Sequence, residues 1–116
     1  MNSEAQPRYI PDRGDLVWID CNPQLGREQG GRRPALVISP ARYNGRVGLF
    51  VCFPITSKIK GYTFEVSLPD TARIHGAVLT DQIKSYDWVA RNVSYIYTAD
   101  EDLVKRCLGK FNSLVT

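Results

Sequence analysis

The sequence predicts a small α+β domain that is mainly β, a β-barrel of about six short strands with one amphipathic helix packed against it. Two observations lead to this prediction. Short apolar runs alternate with clusters of turn-forming residues as far as residue 97, whereas residues 98–115 have helical periodicity. Because the chain has only 116 residues, it has room for one domain with one core.

The predicted strands differ in the spacing of their apolar residues. Three early runs are apolar throughout, and the third follows a turn signal at Asn44-Gly45 and is closed by Pro54. The fourth alternates apolar and polar residues, as a half-buried antiparallel strand does. In chain order, the predicted strands are residues 16–19, 34–39, 48–53, 62–68, 76–84 and 88–97.

The C-terminal segment is predicted to be a helix. Thr98, with Glu101 three residues later, has the pattern of a capping box at a helix N-terminus. Gly109 weakens the helix by up to about 1 kcal/mol relative to alanine, a cost that packing of its apolar face outweighs. The residues of that face recur at helical spacing and are Leu103, Val104, Cys107, Leu108, Phe111, Leu114 and Val115.

Composition limits the classes of protein to consider. Hydrophobic residues make up 43% and charged residues 23% of the chain, which is typical of a folded domain. The formal net charge of +3 favours an anionic partner without identifying it. The cysteines at positions 21, 52 and 107 are odd in number and far apart, which indicates free thiols in a reducing compartment.

No targeting segment is visible in the sequence. The polar N-terminus has no apolar signal region, and no apolar stretch approaches the ~20 residues of a membrane span. We therefore expect a cytoplasmic protein, with residues 1–8 as a flexible leader and residues 9–116 as the single domain.

Two polar loops interrupt the predicted strands and carry most of the candidate functional residues. The first spans residues 20–33 and contains Arg27, Glu28, Arg32 and Arg33 around a pair of glycines. The second spans residues 55–61 and contains Thr56, Ser57, Lys58 and Lys60. Segments of this kind lie on the surface and often carry function, although two basic loops can also be merely solvated.

Arg33 differs from the other basic residues because it directly precedes Pro34. A residue before proline is pushed into an extended conformation, so Arg33 is expected at the root of a strand rather than on the loop. A permanently charged guanidinium on a rigid element suits phosphate chemistry. The alternative is an arginine whose stem covers the barrel edge while its head lies in water.

RNA cleavage is a chemistry that these residues can perform. Attack by a 2′-hydroxyl needs a group to accept its proton, a charge to stabilise the phosphorane and a donor for the leaving 5′-oxygen. A pair of histidines is excluded because His75 is the only one. Glu28 is then the candidate base, Arg33 the stabilising charge and possible acid, and Thr56 a hydroxyl for the scissile phosphate.

Metal chemistry fits the sequence poorly. No HxH, HExxH or DxD ligand set appears, and the odd spacing from Asp15 to Asp20 puts these two carboxylates on opposite faces of a strand. We therefore expect neither a metal nor another cofactor.

Three motifs resemble those of the MazF/PemK family of ribonuclease toxins. They are Glu28-Gln29 followed by a glycine and Arg33-Pro34, then Pro54-Ile55-Thr56, and a strand that leads to Asp81-Gln82. The likeness runs over about residues 8–115 without an obvious gap. It implies a homodimeric SH3-like barrel of the MazF/CcdB toxin type, and sequence-specific, metal-independent cleavage of single-stranded mRNA that leaves 2′,3′-cyclic phosphate and 5′-hydroxyl ends. It also implies inhibition of translation and growth, and a MazE-like antitoxin as partner.

The resemblance assigns roles to individual residues. It implies that Arg33, Thr56 and Glu28 are catalytic, and that Asp81 contributes as it does in the PemK branch; the alternative for Asp81 is a strand carboxylate bonded to the backbone or to an arginine. Ser57 stands where some members have a second threonine and can share the role of Thr56. Tyr62 and Trp88 are possible stacking surfaces for bases, or else core or interface residues. The residues expected to contact RNA are Arg27, Gln29, Arg32, Lys58, Lys60, Lys84 and Arg91.

Two other classes of protein are compatible with a barrel of this kind. A CcdB-like toxin would bind DNA gyrase through the C-terminal helix, which would leave both basic loops without a role. A non-catalytic SH3-like module would need an aromatic-lined groove, which the strand pattern does not indicate.

Overall fold

The computed structural model describes residues 8–21 and 31–116. Within these ranges the chain forms seven strands and two helices. In chain order they are β1 (Asp15–Asp20), β2 (Arg32–Val37), α1 (Ala41–Val47), β3 (Leu49–Thr56), β4 (Glu65–Ser67), β5 (Ala77–Leu79), β6 (Lys84–Asp87), β7 (Ser94–Thr98) and α2 (Glu101–Val115).

All strand pairs are antiparallel, and they follow the order β4-β5-β3-β2-β1-β7. The long strand β3 also pairs with β6, so that it contacts three other strands. Among the described residues β4 and β7 do not pair with each other, so the backbone hydrogen bonds do not close the sheet into a continuous barrel. The mainly β fold with a C-terminal helix is confirmed, with seven strands instead of about six.

Apolar side chains form a cluster on each face of the sheet. The first, which we call the helix-side core, joins strand residues such as Leu36 and Phe53 to Leu103 and Cys107 of α2. The second, which we call the Trp88 core, consists of Val17, Ile19, Ala35, Val37, Phe50, Cys52 and Trp88. Because side chains of a strand alternate between its faces, the apolar runs of β1 to β3 supply both clusters.

The predicted turn at Asn44-Gly45 is wrong, since these residues lie inside α1. The Asn44 side chain is fully buried and donates hydrogen bonds to the carbonyl oxygens of Pro11 (2.7 Å) and Ser39 (2.9 Å). The backbone oxygen of Asn44 accepts a bond from Trp88 Nε1 at 3.1 Å. An asparagine that is normally favoured in turns is held in a helix here because tertiary contacts satisfy its polar groups.

The strands predicted at residues 62–68, 76–84 and 88–97 differ most from the structure. Residues 62–64 precede β4 as a turn that is closed by a bond from Glu65 N to the Tyr62 oxygen. The strand predicted at 76–84 divides into β5 and the start of β6, because Thr80 bonds through both its amide and its hydroxyl to the Phe64 oxygen. After β6, the Asp87 carboxylate accepts bonds from two following amides and turns the chain at residues predicted to be a strand.

The helix α2 is present as predicted, but its cap is Asp100 and not Thr98. The Asp100 side chain accepts a hydrogen bond from Leu103 N at 2.9 Å, as an N-cap residue does. Thr98 ends β7 instead, and its hydroxyl donates to the buried carboxylate of Asp15 at 2.9 Å. Over the residues that the structure describes, no helix is both long enough and apolar enough to cross a membrane.

Candidate active site

Arg33 lies in β2, as its position before Pro34 predicts, and pairs with Ile19 of β1. Strand alternation puts it on the same face as Ala35 and Val37, at the end of the Trp88 core. The residue is half-buried, and its Nε atom is buried with no hydrogen-bond partner among the described residues. A buried unpaired donor typically costs about 1–3 kcal/mol, and an imperfection of that kind is often found at a functional site.

Thr56 lies at the same end of the sheet as Arg33. Strands β2 and β3 are antiparallel and pair Ala35 with Pro54. Arg33 lies two residues before Ala35 and Thr56 lies two residues after Pro54, so both are at the same end of the strand pair. The same alternation places both on one face of the sheet. The Thr56 hydroxyl accepts a hydrogen bond from Lys58 N at 3.0 Å, which starts the turn of the loop that follows. Two residues 23 positions apart in sequence are thus brought together by strand pairing.

A surface pocket of about 480 Å³ opens beside Thr56. Its lining combines two ammonium groups with hydroxyl, amide, carboxylate and apolar groups. The lining residues are Thr56, Lys58, Lys60, Tyr62, Glu65, Leu79 and Gln82. Ser57 lies next to Thr56 at the start of the exposed loop.

Tyr62 is 37% exposed at the pocket, and its hydroxyl donates a 2.7 Å hydrogen bond to Asp81. Burial and this bond to a carboxylate raise the pKa of the Tyr62 phenol to about 12. Asp81 is exposed in the turn that follows β5 rather than within a strand, and its hydrogen bond is with a phenol rather than with an arginine. The contact fixes the ring of Tyr62 in the pocket.

Arg32 is engaged within the protein, on the opposite face of β2 from Arg33. It forms a 2.7 Å ion pair with Asp20, and it donates to the Asn92 carbonyl oxygen (2.6 Å) and the Ser94 hydroxyl (2.7 Å). These contacts join β1, β2 and the start of β7. The bonds that Asp20 accepts from Asn92 and from Arg32 hold the pKa of its carboxyl below the ordinary value of 3.8.

We expect Asp20→Asn to destabilise the fold in a pH-dependent manner. Because the pKa of Asp20 is lowered in the folded protein, its carboxylate stabilises the fold above pH 3.8, and this contribution is lost as the pH falls through the lowered value. Urea unfolding should therefore show a lower free energy of unfolding for the variant at pH 7 and a smaller difference at pH 3. The exposed Asp70→Asn is the control; equal stability of Asp20→Asn and the native chain at pH 7 would contradict the prediction.

Lys84 and Arg91 lie on the side of the Trp88 core. Lys84 begins β6 and pairs with Cys52 of β3. Arg91 donates to the Asp20 carbonyl oxygen at 3.0 Å, and its guanidinium stacks on the Tyr86 ring at 4.2 Å from the centroid. Both are half-buried cations with part of their side chains fixed by the fold.

Several sequence predictions fall elsewhere. Arg27, Glu28 and Gln29 lie outside the described residues. Trp88 is only 4% exposed, so it is a core residue and not a stacking surface for a base. His75 is exposed, as expected for a surface residue.

The cysteines at positions 21, 52 and 107 form no disulfide within the described residues, and burial raises the pKa of both Cys52 and Cys107 to about 12. In the two described ranges, no group of three or more His, Cys, Asp and Glu side chains is placed to hold a metal ion.

Sequence reasoning missed Glu65, Leu79 and Gln82 as pocket residues. Glu65 and Leu79 fall in strands and carry no functional signature of their own. Gln82 follows Asp81 in the third motif, which assigns a role to Asp81 alone. Glu65 and Leu79 come together at the pocket because β4 pairs with β5, which places these two residues opposite each other.

The fold agrees with comparison to known proteins. Residues 12–115 match the family model described as PemK-like, MazF-like toxin of type II toxin–antitoxin system. The chain belongs to this family.

Individual relatives are similar over nearly the whole chain. The endoribonuclease toxin MazF of Escherichia coli K12 is 44% identical over 108 residues, which are 93% of this chain and 96% of the relative. A crystal structure of MazF from Deinococcus radiodurans superposes with a TM-score of 0.87 at 49% identity and covers 93% of this chain and 98% of the other. A MazE–MazF structure (Form-II) from the same organism has a TM-score of 0.84 at 44% identity, with 93% and 97% covered.

Proposed function

We propose that this chain is the endoribonuclease toxin of a type II toxin–antitoxin system and that it cuts single-stranded RNA at short sequence motifs. The observation that carries the proposal is the placement of Arg33 and Thr56 at one end of the β2–β3 pair, beside a pocket with two lysines. The names of the relatives, which are endoribonuclease toxins, support the same activity.

The proposed reaction is a transfer within the RNA that needs no metal. The 2′-hydroxyl attacks the adjacent phosphorus, the bond to the 5′-oxygen breaks, and the products are a 2′,3′-cyclic phosphate and a 5′-hydroxyl. Glu28 accepts the proton of the attacking hydroxyl, and Arg33 stabilises the phosphorane and protonates the leaving oxygen. Thr56, with Ser57 beside it, donates a hydrogen bond to the scissile phosphate.

The guanidinium of half-buried Arg33 supports this assignment, because a buried donor such as its Nε, without a partner in the described structure, is often found at a functional site. Asp81 acts as a positioning residue through Tyr62, whose phenol it binds. This bond holds the Tyr62 ring at the pocket, where it can stack on a base.

Other cations are proposed to hold the RNA backbone. Lys58 and Lys60 lie in the pocket, and Lys84 and Arg91 are half-buried on the side of the Trp88 core. Arg32, in addition to its contacts inside the protein, and the loop residues Arg27 and Gln29 complete the proposed interface. Because such contacts are electrostatic, RNA affinity should fall as the salt concentration rises.

The proposed assembly is a homodimer of the domain at residues 9–116, held inactive in the bacterial cytoplasm by a MazE-like antitoxin. Structures of MazE with MazF at 43–44% identity to this chain support the antitoxin. Released toxin would cleave mRNA and so inhibit translation and growth.

The test of this proposal is cleavage in excess EDTA. Purified protein should cut single-stranded RNA, leave duplex RNA and single-stranded DNA intact, and fail on a substrate with a 2′-deoxy sugar at the scissile position. Cutting of the 2′-deoxy substrate would contradict the proposed nucleophile. Inhibition of DNA gyrase without RNA cleavage, or RNA binding without any product, would replace the proposal by one of the two other classes.

A further inference from the structure

Glu65 holds the loop that follows Thr56. Its carboxylate accepts hydrogen bonds from Lys60 N (3.1 Å to Oε1 and 3.0 Å to Oε2) and from Gly61 N (2.6 Å to Oε1). Two consecutive backbone amides therefore converge on one anion, an arrangement known as a nest. Gly61 has a φ of +79°, a left-handed conformation that a glycine adopts without strain.

The loop is thus fixed at both ends. At its start the Thr56 hydroxyl accepts the bond from Lys58 N, and near its end the Glu65 carboxylate accepts those from Lys60 and Gly61. Between these bonds the loop is exposed on the surface. The positions of the two pocket lysines therefore depend on a threonine and a glutamate that lie at the ends of two different strands, β3 and β4.

A carboxylate in a pocket that binds RNA has an apparent disadvantage, since it repels phosphate. At Glu65 both oxygens are bonded to backbone amides, so part of the charge is balanced by the loop. Glu65 can therefore affect RNA binding in two opposite ways. Repulsion by its charge would weaken the binding of RNA, whereas its support of the loop would strengthen it.

We infer that Glu65 is a positioning residue for RNA: it acts through the loop at residues 57–61, which it holds so that Lys58 and Lys60 face the substrate next to Thr56. The inference rests on the proposed function and names a residue for which that proposal has no role. It predicts that loss of the carboxylate weakens the binding of RNA even though a negative charge has been removed.

The experiment compares Glu65→Ala with Glu65→Gln in cleavage of single-stranded RNA. Loss of hydrogen bonds to a charged group should raise KM about tenfold or more in Glu65→Ala, with little change in kcat because Arg33 and Thr56 keep their places on the sheet. Glu65→Gln retains one acceptor oxygen and should recover part of the KM. Glu101→Ala removes the same charge from α2, outside the pocket, and should leave KM unchanged.

A second measurement follows the loop itself by amide hydrogen exchange. In Glu65→Ala the amides of Lys60 and Gly61 should exchange faster, while those of the β2–β3 pair stay protected. A lower KM in both Glu65 variants would mean that repulsion dominates and would overturn the inference, as would a lower melting temperature with KM unchanged. If the native chain does not cleave RNA, the proposed function itself fails; cleavage with an unchanged KM in Glu65→Ala refutes only the role of Glu65.

Discussion

Replacing Arg33 with alanine should lower RNA cleavage by about 10²–10³-fold, because removal of one preorganised donor to a developing charge typically has an effect of this size. The fold should survive the change. The Nε of Arg33 is buried without a partner among the described residues, so truncation removes an unfavourable group from the folded state. We therefore expect a melting temperature equal to or above that of the native chain.

Two control variants separate the charge of Arg33 from its geometry. Arg42→Ala removes the same charge from the exposed surface of α1 and should cleave like the native chain. Arg33→Lys keeps the charge but loses the planar fork of donors, so its activity should lie between those of the native chain and Arg33→Ala. Undiminished cleavage by Arg33→Ala would refute the proposed mechanism.

Gly76→Ala should damage both the stability and the activity of the protein. A Cβ atom at this position would lie 2.4 Å from the backbone oxygen of Thr56, and the φ of Gly76 is +151°. Backbone strain and overpacking of this kind typically cost about 1–3 kcal/mol each. Because the displaced backbone belongs to Thr56, the remaining folded protein should also cleave RNA more slowly.

The measurements are thermal unfolding and the cleavage rate per folded molecule. Gly48→Ala is the matched control, since Gly48 also has a positive φ (+83°) but a Cβ there would meet nothing within 4 Å. It should lose some stability and retain full activity. Equal behaviour of the two variants would show that the contact between Gly76 and Thr56 has no part in the function.

The fold was predictable where local patterns act alone. The apolar runs of β1 to β3 and the periodicity of α2 indicate these elements directly. Prediction failed where a side chain takes a distant partner: Asn44 is held in α1 by Pro11 and Ser39, and Thr98 is bonded to Asp15 while Asp100 caps the helix. The bonds of Asn44 to Pro11 and of Thr98 to Asp15 join residues far apart in sequence, and no local periodicity reports them.

The site was likewise predictable only where a local feature of the sequence fixes a residue's position. Arg33 could be placed at a strand root because Pro34 restricts its backbone. That Thr56 lies at the same strand end follows only from the register of β2 with β3. The bonds from Glu65 to the loop and from Tyr62 to Asp81 depend on turns whose geometry the sequence does not specify.

The measurement that tests the central proposal most directly is end analysis of the RNA fragments. A long RNA of mixed sequence is digested in excess EDTA, and the 5′ ends are sequenced and their chemistry determined with that of the 3′ ends. We predict 5′-hydroxyl and 2′,3′-cyclic phosphate ends, grouped at one short motif and missing from the Arg33→Ala digest. Fragments with 5′-phosphate ends, or cleavage that begins only when a divalent metal is restored, would contradict the proposal.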